Sequence, residues 1–177
     1  MDTQNIERYL DSFGRQVVKD AKANLQKAKG DTALGESIRF KVVPTEQGFS
    51  TQFYMADYGT FLDKGVSGTK KKKTFEDYSG TRRSSPYKYT TKQPPTGVID
   101  RWVVRKGLKG SRDKEGRFIK RKSMVFLIAR SIKRNGIKSL SFFQKPLGLG
   151  YEKLQTNLLK ELKLDIQTYL TTFYRPK

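Results

Sequence analysis

Residues 37–65, SIRFKVVPTEQGFSTQFYMADYGTFLDKG, decide the fold class. Ser37–Val43 alternates apolar and polar side chains, and Phe49–Tyr58 does so loosely. Pro44-Thr45-Glu46-Gln47-Gly48 lies between them. A period of two on both sides of a Pro- and Gly-bearing segment predicts an antiparallel hairpin closed by a five-residue turn. The tract that follows, Tyr58–Gly65, reads as a bend with one helical turn.

Outward from the hairpin the period changes. Upstream, Ile6, Leu10, Phe13, Val17, Ala21 and Leu25 recur at steps of three and four with charges between them. This predicts an amphipathic helix of about six turns, stopped by Gly30. At the far end Leu154, Leu158, Leu162, Ile166, Leu170 and Phe173 mark one stripe of a second long helix, expected in the core against the sheet. The expected architecture is α+β: a small antiparallel sheet with N- and C-terminal amphipathic helices packed on it. At 177 residues the chain reads as a single domain, 1–177, with a basic extended insertion at about 66–96 and a second basic loop at about 108–122.

Those insertions hold the charge. Residues 61–145 contain 24 Lys/Arg against 6 Asp/Glu, +18 of the +20 carried by the whole chain. The flanking segments are nearly neutral. Such a block only weakens a compact state through self-repulsion, so it speaks of partners. Nucleic acid comes first, then an acidic protein surface, then anionic lipid.

From Val66 to Pro95 periodicity vanishes, and Lys70, Lys71, Lys72, Lys73, Arg82 and Arg83 alternate with Gly, Ser, Thr and single aromatic residues. A structureless segment of this length inside a compact domain is expected to be a functional loop, ordered only in an assembly. Pro94-Pro95 opens a short helix with Val98, Ile99, Trp102 and Val103 on one face. The second basic loop carries Arg112, Arg117, Lys120, Arg121 and Lys122 around a turn at Asp113–Gly116. Ser123 is placed to N-cap the helix bearing Val125, Leu127, Ile128 and Ile132, and Asn135-Gly136 to stop it.

Catalysis is not expected. The chain has no histidine and no cysteine, which removes the commonest general base near neutral pH and any thiolate metal site. Asp57, Asp63, Glu76, Asp77, Asp100, Asp113 and Glu115 are scattered, and no Asp/Glu pair is followed at short spacing by the lysine of restriction-type nucleases; Glu115 is followed by Gly116 and Arg117. Gly107, Gly110 and Gly116 make no phosphate-binding fingerprint. No cofactor and no metal are expected. Phe75, Tyr78, Tyr87, Tyr89 and Trp102 interleave the basic residues; pinning of the loops is favoured for them over base stacking, and contact with phosphate or an acidic partner for the lysines. The longest apolar run, Met124–Ala129, is far below the ~20 residues of a membrane span. Asp2, Glu7 and Arg8 do not suit a signal peptide. The chain is expected to be made in the cytosol as a soluble protein, without membrane contact.

Two stretches carry a resemblance. Tyr58-Gly59-Thr60-Phe61-Leu62-Asp63-Lys64-Gly65, after a hairpin, is similar to the Tyr-Ala-x-Tyr-Val-Glu-x-Gly signature of a family of tailed-phage neck and tail-completion proteins. In that family a Pro-Phe-Leu-x-Pro-Ala stretch precedes a long terminal helix; here Ser141-Phe142-Phe143-Gln144-Lys145-Pro146-Leu147 stands in its place. Asp63 replaces the usual Glu, Gln144 the usual basic or small residue, and about 75 residues separate the two motifs where far fewer are usual. The resemblance implies a structural virion protein, a homo-oligomeric ring at the head–tail junction (neck, connector or tail terminator). It would contact portal or adaptor and tail proteins, with packaged double-stranded DNA passing through the lumen. It implies a structural role for Tyr58, Gly59, Asp63, Gly65, Phe143 and Pro146, and gives the basic residues phosphate or neighbouring subunits to contact. A sequence-independent cytosolic nucleic-acid-binding protein is the alternative.

Overall fold

The computed structural model describes residues 3–29, 32–108, 110, 112 and 114–173, with side chains to residue 171. In chain order the elements are α1 (Gln4–Lys29), α2 (Ala33–Ser37), β1 (Arg39–Thr45), β2 (Gly48–Tyr54), α3 (Gly59–Lys64), β3 (Thr74–Glu76), β4 (Arg82–Ser84), α4 (Thr96–Arg105), α5 (Arg121–Asn135) and α6 (Gln144–Phe173). The fold is α+β, with β1–β2 and β3–β4 as two separate two-stranded sheets and long helices at both ends. The chain divides into two compact units. Unit 1 comprises residues 1–59, 76–82 and 140–177, and unit 2 comprises 60–75 and 83–139.

In unit 1 the α1 stripe is buried as its spacing requires: Leu10, Val17, Ala21 and Leu25 are all in the core. The anticipated stop, Gly30, lies outside the described residues. The hairpin pairs Arg39 with Tyr54 through to Thr45 with Gly48. Its turn is therefore the two residues Glu46-Gln47, not the five-residue segment expected from the sequence. Gly48 at φ +134° supplies the backbone conformation that tightens it. Pro44 falls inside β1 opposite Phe49, which a two-stranded sheet tolerates because each strand has a free edge. Phe53 on β2 gathers the rings of Phe13, Phe40 and Phe143 at centroid distances of 6.3, 6.3 and 5.4 Å. Gly14 lets α1 settle on this cluster, since a Cβ there would lie 2.2 Å from the Phe40 ring.

Helix α6 departs most from expectation. It begins at Gln144, with Pro146 in its first turn, where a missing N–H costs nothing. Leu154, Leu158 and Leu162 are only half-buried against the rest of unit 1, while Ile166 and Leu170 are 41% and 58% exposed. The side chain of Phe173 lies outside the described residues. The most buried residue of the helix's C-terminal half is Asp165, at 2% exposure. Its Oδ1 accepts hydrogen bonds from the backbone N–H (3.2 Å) and Nδ2 (2.7 Å) of Asn5, and its Oδ2 from the N–H of Ile6 (3.2 Å). A carboxylate from the far end of the chain thus satisfies donors in the first turn of α1, which have no partner within their own helix.

Unit 2 has its own core. Ile99 and Val103 of α4 meet Met124, Val125 and Ala129 of α5, with Ile119, Ile128 and Ile132 around them. Val98 and Trp102, expected on the same face, are exposed, as is Leu127. Ser123 is not a cap: α5 starts at Arg121, its N-cap is Lys120, and no side chain caps it. Gly136 stops the helix at φ +73°, donating its N–H to Ile132 O.

Residues 66–95 are not the structureless loop expected. They carry β3 and β4, and single-residue bridges join Val66 to Ile137 and Ser67 to Lys88. Val66 and Phe75 are buried. These pairings reach partners up to 71 positions away, so no local period in the sequence announces them.

Candidate polyanion interface

Unit 2 holds 22 Lys/Arg against 4 Asp/Glu, a balance of +18, and unit 1 holds 15 against 13. The charge block of the sequence is therefore the charge of one compact unit. Four carboxylates can neutralise only a small share of 22 cations, and two are engaged in exposed ion pairs, Asp100 with Arg121 at 2.9 Å and Glu115 with Arg117 at 3.0 Å. Exposed pairs of this kind contribute at most ~1 kcal/mol each.

Helix α5 organises much of the excess. At its C-terminal end the chain from Gly68 to Lys71 folds over the last turn: Thr69 N donates to Lys133 O, and Lys70 N and Lys71 N donate to Arg134 O. Carbonyls that would lack a helical partner are thereby satisfied. Lys70 and Lys71 are brought beside Lys133 and Arg134, two cations not singled out from the sequence. Their signal was present as basic residues in the last turn of a predicted helix, where the macrodipole favours positive charge. Ser67 Oγ accepts from Lys73 N at 3.0 Å and fixes the end of the lysine tract.

The N-terminal end of α5 has the opposite electrostatics. Lys120, Arg121 and Lys122 are consecutive and exposed where the helix dipole disfavours cations. Arg112 lies over the Phe118 ring at 4.2 Å and donates to Gly116 O at 3.0 Å, so a cation–π contact and one hydrogen bond order the loop. Asp113 lies outside the described residues. The two basic groups are separated by the length of α5, roughly 22 Å at 1.5 Å per residue. Arg83 of β4 belongs to unit 2 and Arg82 to unit 1, so Lys70–Lys73, Arg82 and Arg83 are divided between the units.

The aromatic residues of the block are mostly packed. Phe75 is buried with the Lys64 ammonium 5.8 Å from its ring, Tyr87 meets Phe61 edge-on at 4.4 Å, and Tyr78 in unit 1 meets Tyr151 at 5.8 Å. Burial raises the Tyr89 phenol above its ordinary pKa. Trp102 stays exposed, and so does Tyr78 apart from its contact with Tyr151.

The two motif stretches fall as follows. Tyr58 is exposed, and Gly59 packs under Met55 and Leu34. Phe143 and Pro146 are buried in unit 1. Asp63, at 2% exposure, and Gly65 belong to unit 2. Gly65 has φ +71°, and a Cβ there would lie 2.7 Å from Ser139 N, so both its backbone angle and its neighbours exclude a side chain. Among the described residues no helix is long and apolar enough to cross a membrane. Comparison with family models, curated proteins and solved structures finds no match.

Proposed function

We propose that the chain is a structural virion protein of the tailed-phage neck, assembling as a ring at the head–tail junction, with unit 2 turned to the phosphates of the DNA passing through. The observation that carries this reading is the position of the charge. Unit 2 falls between the two motif stretches, overlapping the first at residues 60–65, and it carries +18 as a compact insertion. The helix dipole disfavours Lys120, Arg121 and Lys122 at the start of α5, and one ion pair with Asp100 offsets little of that, which supports an external anion as their counterpart. A phosphate backbone is such a counterpart, and it requires no base reading.

The deciding experiment is native mass measurement joined to duplex binding over a range of salt. A closed ring that binds DNA without sequence preference is the expected result. Replacing Lys120, Arg121 and Lys122 by Gln should reduce the slope of log K against log salt by roughly 0.9 for each phosphate that is no longer neutralised. A monomer with the same salt slope supports the second reading, a sequence-independent nucleic-acid-binding protein, which the charge alone also favours. A slope unaffected by these replacements and by the same change at Lys70–Lys73 removes DNA as the partner of both groups.

A further inference from the structure

Unit 2 contains, beside an apolar cavity, a single-residue β-bridge at Lys88 whose outer edge is open. Tyr87 O accepts from Ser67 N at 2.8 Å and Tyr89 N donates to Ser67 O at 2.8 Å, so the segment around the single-residue bridge at Lys88 spends its inward-facing groups on Ser67. The N–H and C=O of Lys88 point the other way, and among the described residues neither has a partner. Tyr87 and Tyr89, two residues apart, share one face. Together with Phe61, Val66 and Ile137 they line a cavity of about 610 Å³. Its surroundings are cationic: Lys88 is on its wall, Lys138 follows Ile137, and Lys133 Nζ donates to Thr91 O at 2.5 Å.

We propose that this edge and cavity form a docking groove for an extended acidic peptide of a partner protein, added as a strand along Tyr87–Tyr89 with two apolar side chains in the cavity. An unpaired edge gives main-chain hydrogen bonds, and a cavity on one face selects alternate side chains, the two ingredients of strand addition. Flanking lysines select acidic residues on either side of the apolar pair. A nucleic acid's phosphates fit the charge, but its bases do not fit the wall. Their donor and acceptor edges would be desolvated against Phe61, Val66 and Ile137 without partners, at ~1–3 kcal/mol for each unmet group. An apolar side chain has no such penalty. The inference rests on the reading that the basic unit addresses a partner, and is independent of whether α5 contacts DNA.

The test uses the full chain and a fluorescein-labelled decapeptide with leucines at its fifth and seventh positions and Asp, Glu and Thr elsewhere, read by anisotropy at constant ionic strength. Saturable binding is expected, abolished when both leucines become serine. Two N-methylated forms, one blocking odd-numbered and one even-numbered amides, should differ, because only one set faces Lys88. On the protein side Lys88→Pro removes the open donor but neither bond to Ser67. It should weaken binding about tenfold beyond the charge control Lys88→Gln, as the loss of one hydrogen bond of ~1.4 kcal/mol requires. Because the N-methylated peptides use unaltered protein, the result stands even if Lys88→Pro does not fold. Equal binding of the leucine and serine peptides, or of both N-methylated forms and the parent, overturns the proposal. A ten-residue oligothymidylate that displaces the peptide and loses affinity in Phe61→Ser also overturns it, in favour of single-stranded nucleic acid. Failure here leaves the duplex salt slope of Lys120–Lys122 untouched, so the two readings fail separately.

Discussion

Asp165 shows how much one side chain can hold. Its carboxylate accepts from Asn5 N–H, Asn5 Nδ2 and Ile6 N–H, and carries a negative charge to the positive end of α1. Asp165→Ala strands those donors in a buried place and should cost about 1–3 kcal/mol in denaturant unfolding. Asp165→Asn, which keeps an acceptor, should cost less. Equal losses in the two variants would show that the charge, not the hydrogen bonds, is what α1 requires. Tyr89 makes a pH prediction. Burial favours its neutral phenol, so its folded pKa lies above the unfolded value. Its contribution to stability is complete below the ordinary phenol range and is lost as pH rises through the raised folded pKa. In a difference titration of phenolate absorbance between the wild type and Tyr89→Phe, the missing component should be the late-titrating one. An early component would place Tyr89 in solvent.

At the scale of elements, α1 and α6 look alike in sequence and differ in the structure. Both carry apolar residues at three- and four-residue steps, but α1 is packed on one side by the hairpin and on another by α6, so its stripe is buried. Helix α6 leans on α1 only part of the way round, which leaves Ile166 and Leu170 outside. Periodicity reports that a helix has an apolar face; it does not report how many neighbours reach it. Leu158→Ala should therefore cost about 1–2 kcal/mol, below the ~2–5 of a fully buried leucine. Leu170→Ala should stay within roughly 0.5 kcal/mol. A loss at Leu170 that grows with protein concentration would instead reveal that this end of α6 is covered by another subunit. The hairpin was legible for a related reason. Alternation announced two strands on either side of a turn, while the register and the turn length depended on how Pro44 and Gly48 are paired, which local pattern does not encode.

For the whole molecule, the unequal division of charge has a mechanical consequence. Unit 2, at +18, repels itself, and unit 1, at +2, does not. Raising ionic strength shortens the Debye length from ~30 Å at 0.01 M to ~8 Å at 0.15 M. Amide hydrogen exchange in α4 and α5 should slow over that range, while exchange in α1 and β1–β2 should change little. A uniform change across both units would mean that they unfold as one.

The sequence by itself determined the charge and where it lies along the chain, the absence of His and Cys chemistry, the α1 helix and the existence of the hairpin. Each is a property of composition or of a short period, and needs no knowledge of distant residues. Tertiary structure alone decided that residues 60–75 and 83–139 form a compact unit, that the Lys70–Lys71 backbone closes the end of α5, and that Asp165 serves a helix 160 positions away. The physical reason is common to all three. A backbone donor or acceptor takes any partner that the fold brings within about 3 Å, and a chain's pattern of residues does not state which distant partner that will be.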